Sequence, residues 1–396
     1  MKNTTRFQLM GMMFLLYFIW GSWYGQMSKY MVKTLNASGQ QAGNASAAFS
    51  IAMIIAPFFI GLIADRYFAA QKVLGILSIA GAIILYILTG IKDADTFFWI
   101  MLAYCITFVP TIALTTSIAM QHVENSEKDF PLIRVMGTVA WIVVTNIIGY
   151  FKLGQSVAIF QISIAAALVL GIYSFFLPNT PPKPNKNTSF AAIIGLDTFK
   201  LFKDRSFAIF FISSLLICIP LSFYYTWANL SLTDSGMTYV ENKMSLGQAS
   251  EFVFMLLIPF AFTRLGVKWM LIVGLIAWII RFIGFGYGDA SSEWLLYLAI
   301  ILHGVCYDFF FVTGQIYTDS KAGEKYRSSA QGLIAIATYG IGMGIGSWMA
   351  GIVADIYTVN GVKNWTSIWM VPAGIAAVVL LLFIFFFKDN KIRATE

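Results

Sequence analysis

The chain has 396 residues, of which 59% are hydrophobic, 16% aromatic and only 11% charged. Soluble domains carry about 25% charged residues because each surface helix or sheet turns a polar face to water, so this composition excludes a water-soluble fold and is the reverse of the disorder pattern. The formal charge of +7 would suit a nucleic-acid partner only if the basic residues lay on one soluble face, and their distribution gives them another task.

Twelve apolar stretches of about 20 residues, the length that crosses a hydrocarbon core as a helix, are predicted in chain order. The first six cover residues 7–27, 42–64, 73–91, 97–120, 135–151 and 157–177. The second six cover 207–230, 245–263, 269–287, 294–317, 330–354 and 367–387. The first stretch lacks a small-residue cleavage pattern and is long enough to span, so it is expected to be retained. With twelve spans both termini share one side, and the loops on that side hold 18 of the 26 Lys and Arg residues against six in the other loops. The positive-inside rule makes the termini cytoplasmic. The expected location is the bacterial cytoplasmic (inner) membrane, with lipid as the surrounding solvent and no nucleic-acid partner.

Between spans six and seven lies the longest polar, Pro-rich break, Pro178 to Arg205, beginning PNTPPKPNKNTS. It reads as a cytoplasmic linker between two six-helix halves, residues 1–177 and 206–396. Residues 190–202 alternate apolar and polar positions at helical spacing, which fits either an interfacial helix or a plain connector. The halves echo each other: Pro57-Phe58-Phe59 precedes a basic loop with Arg66 and Lys72, and Pro259-Phe260 precedes one with Arg264 and Lys268. Repeats related by an axis along the membrane normal are a transporter feature.

The chemistry-bearing residues are few. Cys105, Cys218 and Cys306 sit in apolar runs with no CxxC spacing, and the two histidines are His122, in a loop, and His303, in span ten. Neither a metal site nor a cofactor is expected, and the absence of a nucleophile-base constellation argues against a membrane enzyme. After span two, Gly61-Leu-Ile-Ala-Asp65-Arg66 places a Gly and an acid at a helix end before a basic loop, a candidate conformational latch or ordinary helix punctuation. The similar Gly351 to Asp355 is read as structural.

Inside the spans stand Arg134, Glu251, Arg281 and Asp308. An ionisable group at mid-bilayer costs about 2.5–3.5 kcal/mol, so it normally faces a cavity or a partner. Arg134, Thr138 and Trp141 fall at i, i+4 and i+7, one face of span five, where a guanidinium, a hydroxyl and an aromatic plane suit a polar ring compound. The alternative is a snorkelling Arg with a lipid-facing Trp. Span eight puts Gln248 and Glu251 on one face; span ten puts His303, Tyr307 and Phe311 on one stripe with Asp308 beside Tyr307. A carboxyl in a low-dielectric span can take and release a proton, as a proton-coupled carrier requires; alternatively both acids pair with Arg134 or Arg281 to hold helices together. Arg281, late in span nine, is read as structural. Trp20 to Tyr24 in span one and Ser222, Tyr224, Tyr225, Trp227 and Asn229 in span seven offer rings and polar groups that either pack or read a base.

FIWGSWYGQMSKYM (18–31), GLIADRY (61–67), VPT (109–111), FPLIRVMGT (130–138), GLDTFKLFK (195–203), QASE (248–251), AWIIRF (277–282), YDFF (307–310) and RSSAQG (327–332) occur in that order. Together they resemble the nucleoside:proton symporter family of the major facilitator superfamily, across nearly the whole chain. The resemblance implies an all-α integral membrane protein with the major facilitator fold, twelve transmembrane helices in two six-helix bundles. It implies a carrier without cofactor, driven by the proton gradient, that imports purine and pyrimidine nucleosides by alternating access at a central site and works as a monomer. Carried over, Arg134, Thr138 and Trp141 form a binding face, Gln248 and Glu251 supply an amide and a carboxylate, and Tyr307 with Asp308 is the aromatic-acid pair. Glu251 and Asp308 are the proton-coupling candidates, and Gly61, Asp65 and Arg66 the latch. The family usually has Phe where this chain has Tyr307. It also offers a Gln and an Asn one turn apart in span seven, where Ser222 and Tyr225 stand here. The competing expectation is a sugar:proton symporter of the same fold.

Overall fold

In lipid a backbone must satisfy its own polar groups, so apolar runs of this length become helices. The computed structural model describes residues 3–59, 68–182 and 196–388. The chain divides into two units, Met1–Thr188 and Ser189–Glu396.

The first unit contains α1 (Asn3–Trp23), α2 (Met27–Thr34), α3 (Gly39–Phe59), α4 (Ala70–Thr89), α5 (Ala94–His122), α6 (Ser126–Tyr150) and α7 (Ala158–Ser174). Helix α1 packs on α6 and α7, α4 on α5 and α7, and α3 on α5. Without a hydrophobic drive between helices in lipid, small and hydroxyl residues supply the close contacts. The Ser22 and Ser163 hydroxyls meet across α1 and α7, and Ser163 also lies 3.0 Å from the Ile19 carbonyl.

The second unit opens with a short 3-10 helix (Leu196–Lys203), followed by α8 (Arg205–Asp234), α9 (Val240–Tyr287) and α10 (Glu293–Tyr307). A π-helical turn (Asp308–Val312) leads into α11 (Thr313–Ala335), and a second one (Ile336–Gly342) into α12 (Met343–Ile356). Two-residue strands β1 (Thr358–Val359) and β2 (Val362–Lys363) precede α13 (Trp365–Phe386). They pair antiparallel around Asn360 and Gly361, whose φ values of 51° and 78° are those a type I′ turn demands.

Among the described residues eight helices are long and apolar enough to cross a membrane, with α9 counted once. At 1.5 Å per residue its 48 residues would extend about 72 Å, over twice a hydrocarbon core. The chain turns at Gly266, where φ 69° and ψ 171° are open only to glycine, and the arms are the predicted spans eight and nine. Gly323 makes the same break, at φ 65° and ψ 173°, between spans ten and eleven. Every predicted span described therefore has its helix, and the pairing order repeats: α8 packs on α12 and α13, and α9 on α10 and α13.

Some expectations change. His122 is the last residue of α5 rather than a loop residue, with Nε2 2.9 Å from Thr180 Oγ1. Thr180, within the expected linker, donates its N–H to Gln71 Oε1 at 2.9 Å and accepts from the Ala70 N–H at 2.9 Å. The end of that segment is the 3-10 helix, and Asp204 then caps α8 by accepting from the Ser206 N–H at 2.8 Å. Burial pushes the Asp204 carboxyl up, but the Lys321 ammonium at 2.5 Å and the capping amides together hold it below the usual range. The remaining linker residues 183–195 and the latch candidates Gly61, Asp65 and Arg66 lie outside the described residues.

Candidate functional site

In the first unit, α6 carries the expected face of span five. The Arg134 guanidinium sits 4.3 Å from the centroid of the Tyr17 ring on α1, a cation–π contact. Gly137 permits it: a Cβ there would lie 2.7 Å from the Tyr17 ring and 2.8 Å from Arg134 Nη1. One turn on, half-buried Trp141 meets Trp20 edge-to-face at 5.6 Å and Tyr24 at 6.5 Å. Trp20 in turn stacks on Phe49 at 5.1 Å and meets Phe108 at 6.1 Å. Its indole N–H is buried with no hydrogen-bond partner. Trp141 thus packs against α1 instead of facing lipid, and Thr138 lies half-buried between the Arg and the Trp. Rings at these separations form a stacking surface with a cation at one end.

The second unit holds the other ionisable groups of the spans. Helices α9 and α10 touch backbone to backbone where a Cβ on Gly304 would come 2.5 Å from the Ser250 carbonyl carbon. The Ser250 hydroxyl accepts the Gly304 N–H at 3.0 Å. This contact sets Glu251 beside His303, with Oε2 3.9 Å from Nε2. On the other side of that ring, Arg281 Nη1 is 2.9 Å from His303 Nδ1. Arg281 is wholly buried, donates from Nε to the Ala299 carbonyl at 2.8 Å, and lies 3.7 Å from the Tyr224 ring centroid. Its position late in span nine suggests a structural residue near a helix end, yet it stands at the centre of this cluster. Neither acid pairs with it directly; His303 lies between Arg281 and Glu251.

Gln248 and Glu251 are both half-buried on the first arm of α9, and Tyr225 is half-buried on α8. Tyr307 continues the stripe from His303, at 5.6 Å between rings, to Phe311 at 5.2 Å. Its hydroxyl lies 2.9 Å from that of Tyr339, which belongs to the second π turn. Asp308 opens the first π turn, is fully buried, and has neither carboxyl oxygen hydrogen-bonded. Such turns frequently interrupt helices at functional sites. Beside this turn a cavity of about 50 Å³, lined by Ser214, Phe310, Phe311, Gln331 and Tyr339 among others, has room for a few waters. Ser222 is placed differently from the other candidates. It is fully buried, its hydroxyl lies 3.1 Å from the Cys218 carbonyl and 2.9 Å from that of Met343, and it packs where α8 meets Gly346. Among the described residues no group of three or more His, Cys, Asp or Glu side chains could hold a metal ion.

Sequence reasoning names the α6 face, Glu251, Tyr307, Asp308 and, as a structural residue, Arg281, but not the contact of Arg281 with His303 or the part of Tyr17 and Tyr339 in these clusters. Each joins through a contact between helices that no spacing within one helix reveals.

A family model described as nucleoside H+ symporter matches residues 1–392. YegT of Escherichia coli (strain K12), a putative nucleoside transporter by name, is 40% identical over 100% of this chain and 97% of its own length. The xanthosine permease of the same organism is 35% identical over 96% of this chain and 95% of its own. The crystal structure of the nucleoside transporter NupG superposes with a TM-score of 0.89 at 30% identity, covering 98% of this chain and 100% of that one.

Proposed function

The chain belongs to the nucleoside H+ symporter family, and from that premise we propose that this multi-pass membrane carrier imports purine and pyrimidine nucleosides with protons, using the residues of the two clusters. The observation that carries the reading is Asp308: a carboxyl group fully buried in a membrane helix with both oxygens unpartnered. An ionised carboxylate there is costly and a protonated one much less so, which suits a group that binds and releases a proton during transport.

Arg134, Thr138 and Trp141 are the contacts that the first unit offers a base, through stacking and a cation edge. Gln248, Glu251, Tyr225, Tyr307 and Asp308 are those of the second unit, with the two carboxylates as acceptors for vicinal ribose hydroxyls. Glu251 and Asp308 are the proton-coupling candidates. Ser222, whose hydroxyl is already committed to two carbonyls, is assigned to packing. Gly61, Asp65 and Arg66 keep the latch role on the strength of their sequence pattern. The bias of Lys and Arg supports cytoplasmic termini in a bacterial inner membrane, and we take the working unit to be a monomer.

The test is uptake of labelled uridine and adenosine into vesicles with an imposed pH gradient, with a panel of competing nucleosides, bases and free ribose. Nucleosides compete and a protonophore abolishes accumulation if the reading holds. Accumulation indifferent to the protonophore removes the coupling, and competition by ribose or disaccharides alone removes the substrate class.

A further inference from the structure

Arg281 is a fully buried cation whose interactions are neutral ones: the Ala299 carbonyl, His303 Nδ1, the Cys306 thiol at 3.5 Å and the Tyr224 face. Its Nη2 has no hydrogen-bond partner. A buried charge is tolerated when compensated, and removing its compensation leaves it strongly destabilising. Among the described residues no ion pair joins Arg281 to a carboxylate, and the acid across the His303 ring is Glu251.

The hydrogen-bond direction follows from the donors. A guanidinium has only N–H groups to offer, so His303 Nδ1 must be the acceptor and the ring proton of a neutral imidazole sits on Nε2, facing Glu251. A second ring proton would have to replace the Arg281 contact at Nδ1. We infer that His303 is a positioning residue, locked by Arg281 as a neutral Nε2–H donor that orients the Glu251 carboxylate for substrate, and is not itself a carrier of the coupling proton. The 3.9 Å separation is longer than a hydrogen bond, and such contacts commonly tighten when substrate binds. Gly304 fixes the approach, since any side chain there would collide with Ser250 and push α9 from α10. The inference rests on the proposed role of Glu251 as a substrate contact.

The groups facing His303 are Arg281 and Glu251 from the two arms of α9, Tyr224 from α8, and Cys306 and Tyr307 from its own helix. The comparison is therefore His303→Gln against His303→Leu. Glutamine can accept from Arg281 through its carbonyl and donate to Glu251 through its amide, yet cannot titrate; leucine can do neither.

Nucleoside affinity of the purified full chain, measured by calorimetry, and the pH profile of vesicle uptake give the readouts. The expected result is that His303→Gln binds within about threefold of the parent with an unmoved pH profile, while His303→Leu loses about tenfold or more, as expected for a lost hydrogen bond to a charged group. In a Glu251→Gln background, His303→Leu should add little further loss. Equal damage by Gln and Leu, a shifted pH profile in His303→Gln, or a full additional loss in the Glu251→Gln background overturns the inference. Unchanged affinity in Glu251→Gln alone instead overturns the role of Glu251. Should His303→Leu fail to fold, His303→Gln still decides through its affinity and pH profile.

Discussion

The α6 cluster of the first unit and the α9–α10 cluster of the second solve different problems. Around Trp141 the surface is built of rings, and its one cation, Arg134, lies against the Tyr17 ring. Around His303 the charges are buried in protein: Arg281 and Asp308 fully, Glu251 in part. The first arrangement can hold a flat, polarisable molecule without any change of charge. The second is costly in every charge state that lacks a partner, and so is able to respond to a proton or a substrate. On the proposed function, recognition of a base falls to the first cluster and coupling to protons to the second.

The sharpest way to break this division is Asp308→Asn, which keeps the shape and removes the titrating group. Gradient-driven uptake should fall by at least about 100-fold, the scale of a lost proton-transfer group, while the protein keeps its thermal stability. Full accumulation by this variant would end the assignment. Next comes Trp141→Ala, expected to weaken nucleoside binding about tenfold through lost stacking, worth about 1–3 kcal/mol. The surviving uptake should remain fully sensitive to a protonophore, and loss of that sensitivity would merge the two roles.

A smaller effect is expected from Tyr307→Phe, which removes the 2.9 Å link to Tyr339 but leaves the ring stripe intact. A loss of about 0.5–1.5 kcal/mol in stability or affinity fits one neutral hydrogen bond. A double-mutant cycle with Tyr339→Phe should show coupling of that size. Outside both clusters, Asp204→Ala serves as a control that removes the α8 cap and the Lys321 pair. Its cost in stability is about 1 kcal/mol, with transport per folded molecule unchanged. Because the Asp204 carboxyl is held low in the folded state, its contribution is present above the ordinary carboxylate range. The difference in Tm between parent and variant should vanish as pH falls through the depressed value.

Much of this is legible in the residues alone. Apolar run length finds the helices because lipid leaves the backbone no other solution, and i, i+4, i+7 spacing finds the α6 face because Arg134, Thr138 and Trp141 share one helix. The turns at Gly266 and Gly323 are tighter than their polar flanks suggest, since glycine lets the chain reverse within a single residue. The part played by Arg281 is hidden in the sequence because it depends on His303, 22 residues away on the neighbouring helix. Ser222 carries the right atom for a ligand, yet its direction is set only when α12 supplies Met343 as a partner. Periodicity gives the face of a helix; the neighbour that covers that face is a tertiary fact.

The two π turns make the number of residues part of the site. Each widens its helix and shifts the phase of the C-terminal portion against the N-terminal portion by up to about 100°, one residue's rotation. Deleting a single residue between Phe309 and Val312 would restore a plain α-helix and leave Gln315 and Tyr317 on the sides they now occupy, because the lost residue and the phase lag it caused cancel. A residue lost from 336–342 would likewise spare α12 and disturb only the wide turn itself, where Tyr339 meets Tyr307. Losing the wide turn at constant length should therefore be more damaging than losing a residue from it, because only the former rotates the helix that follows.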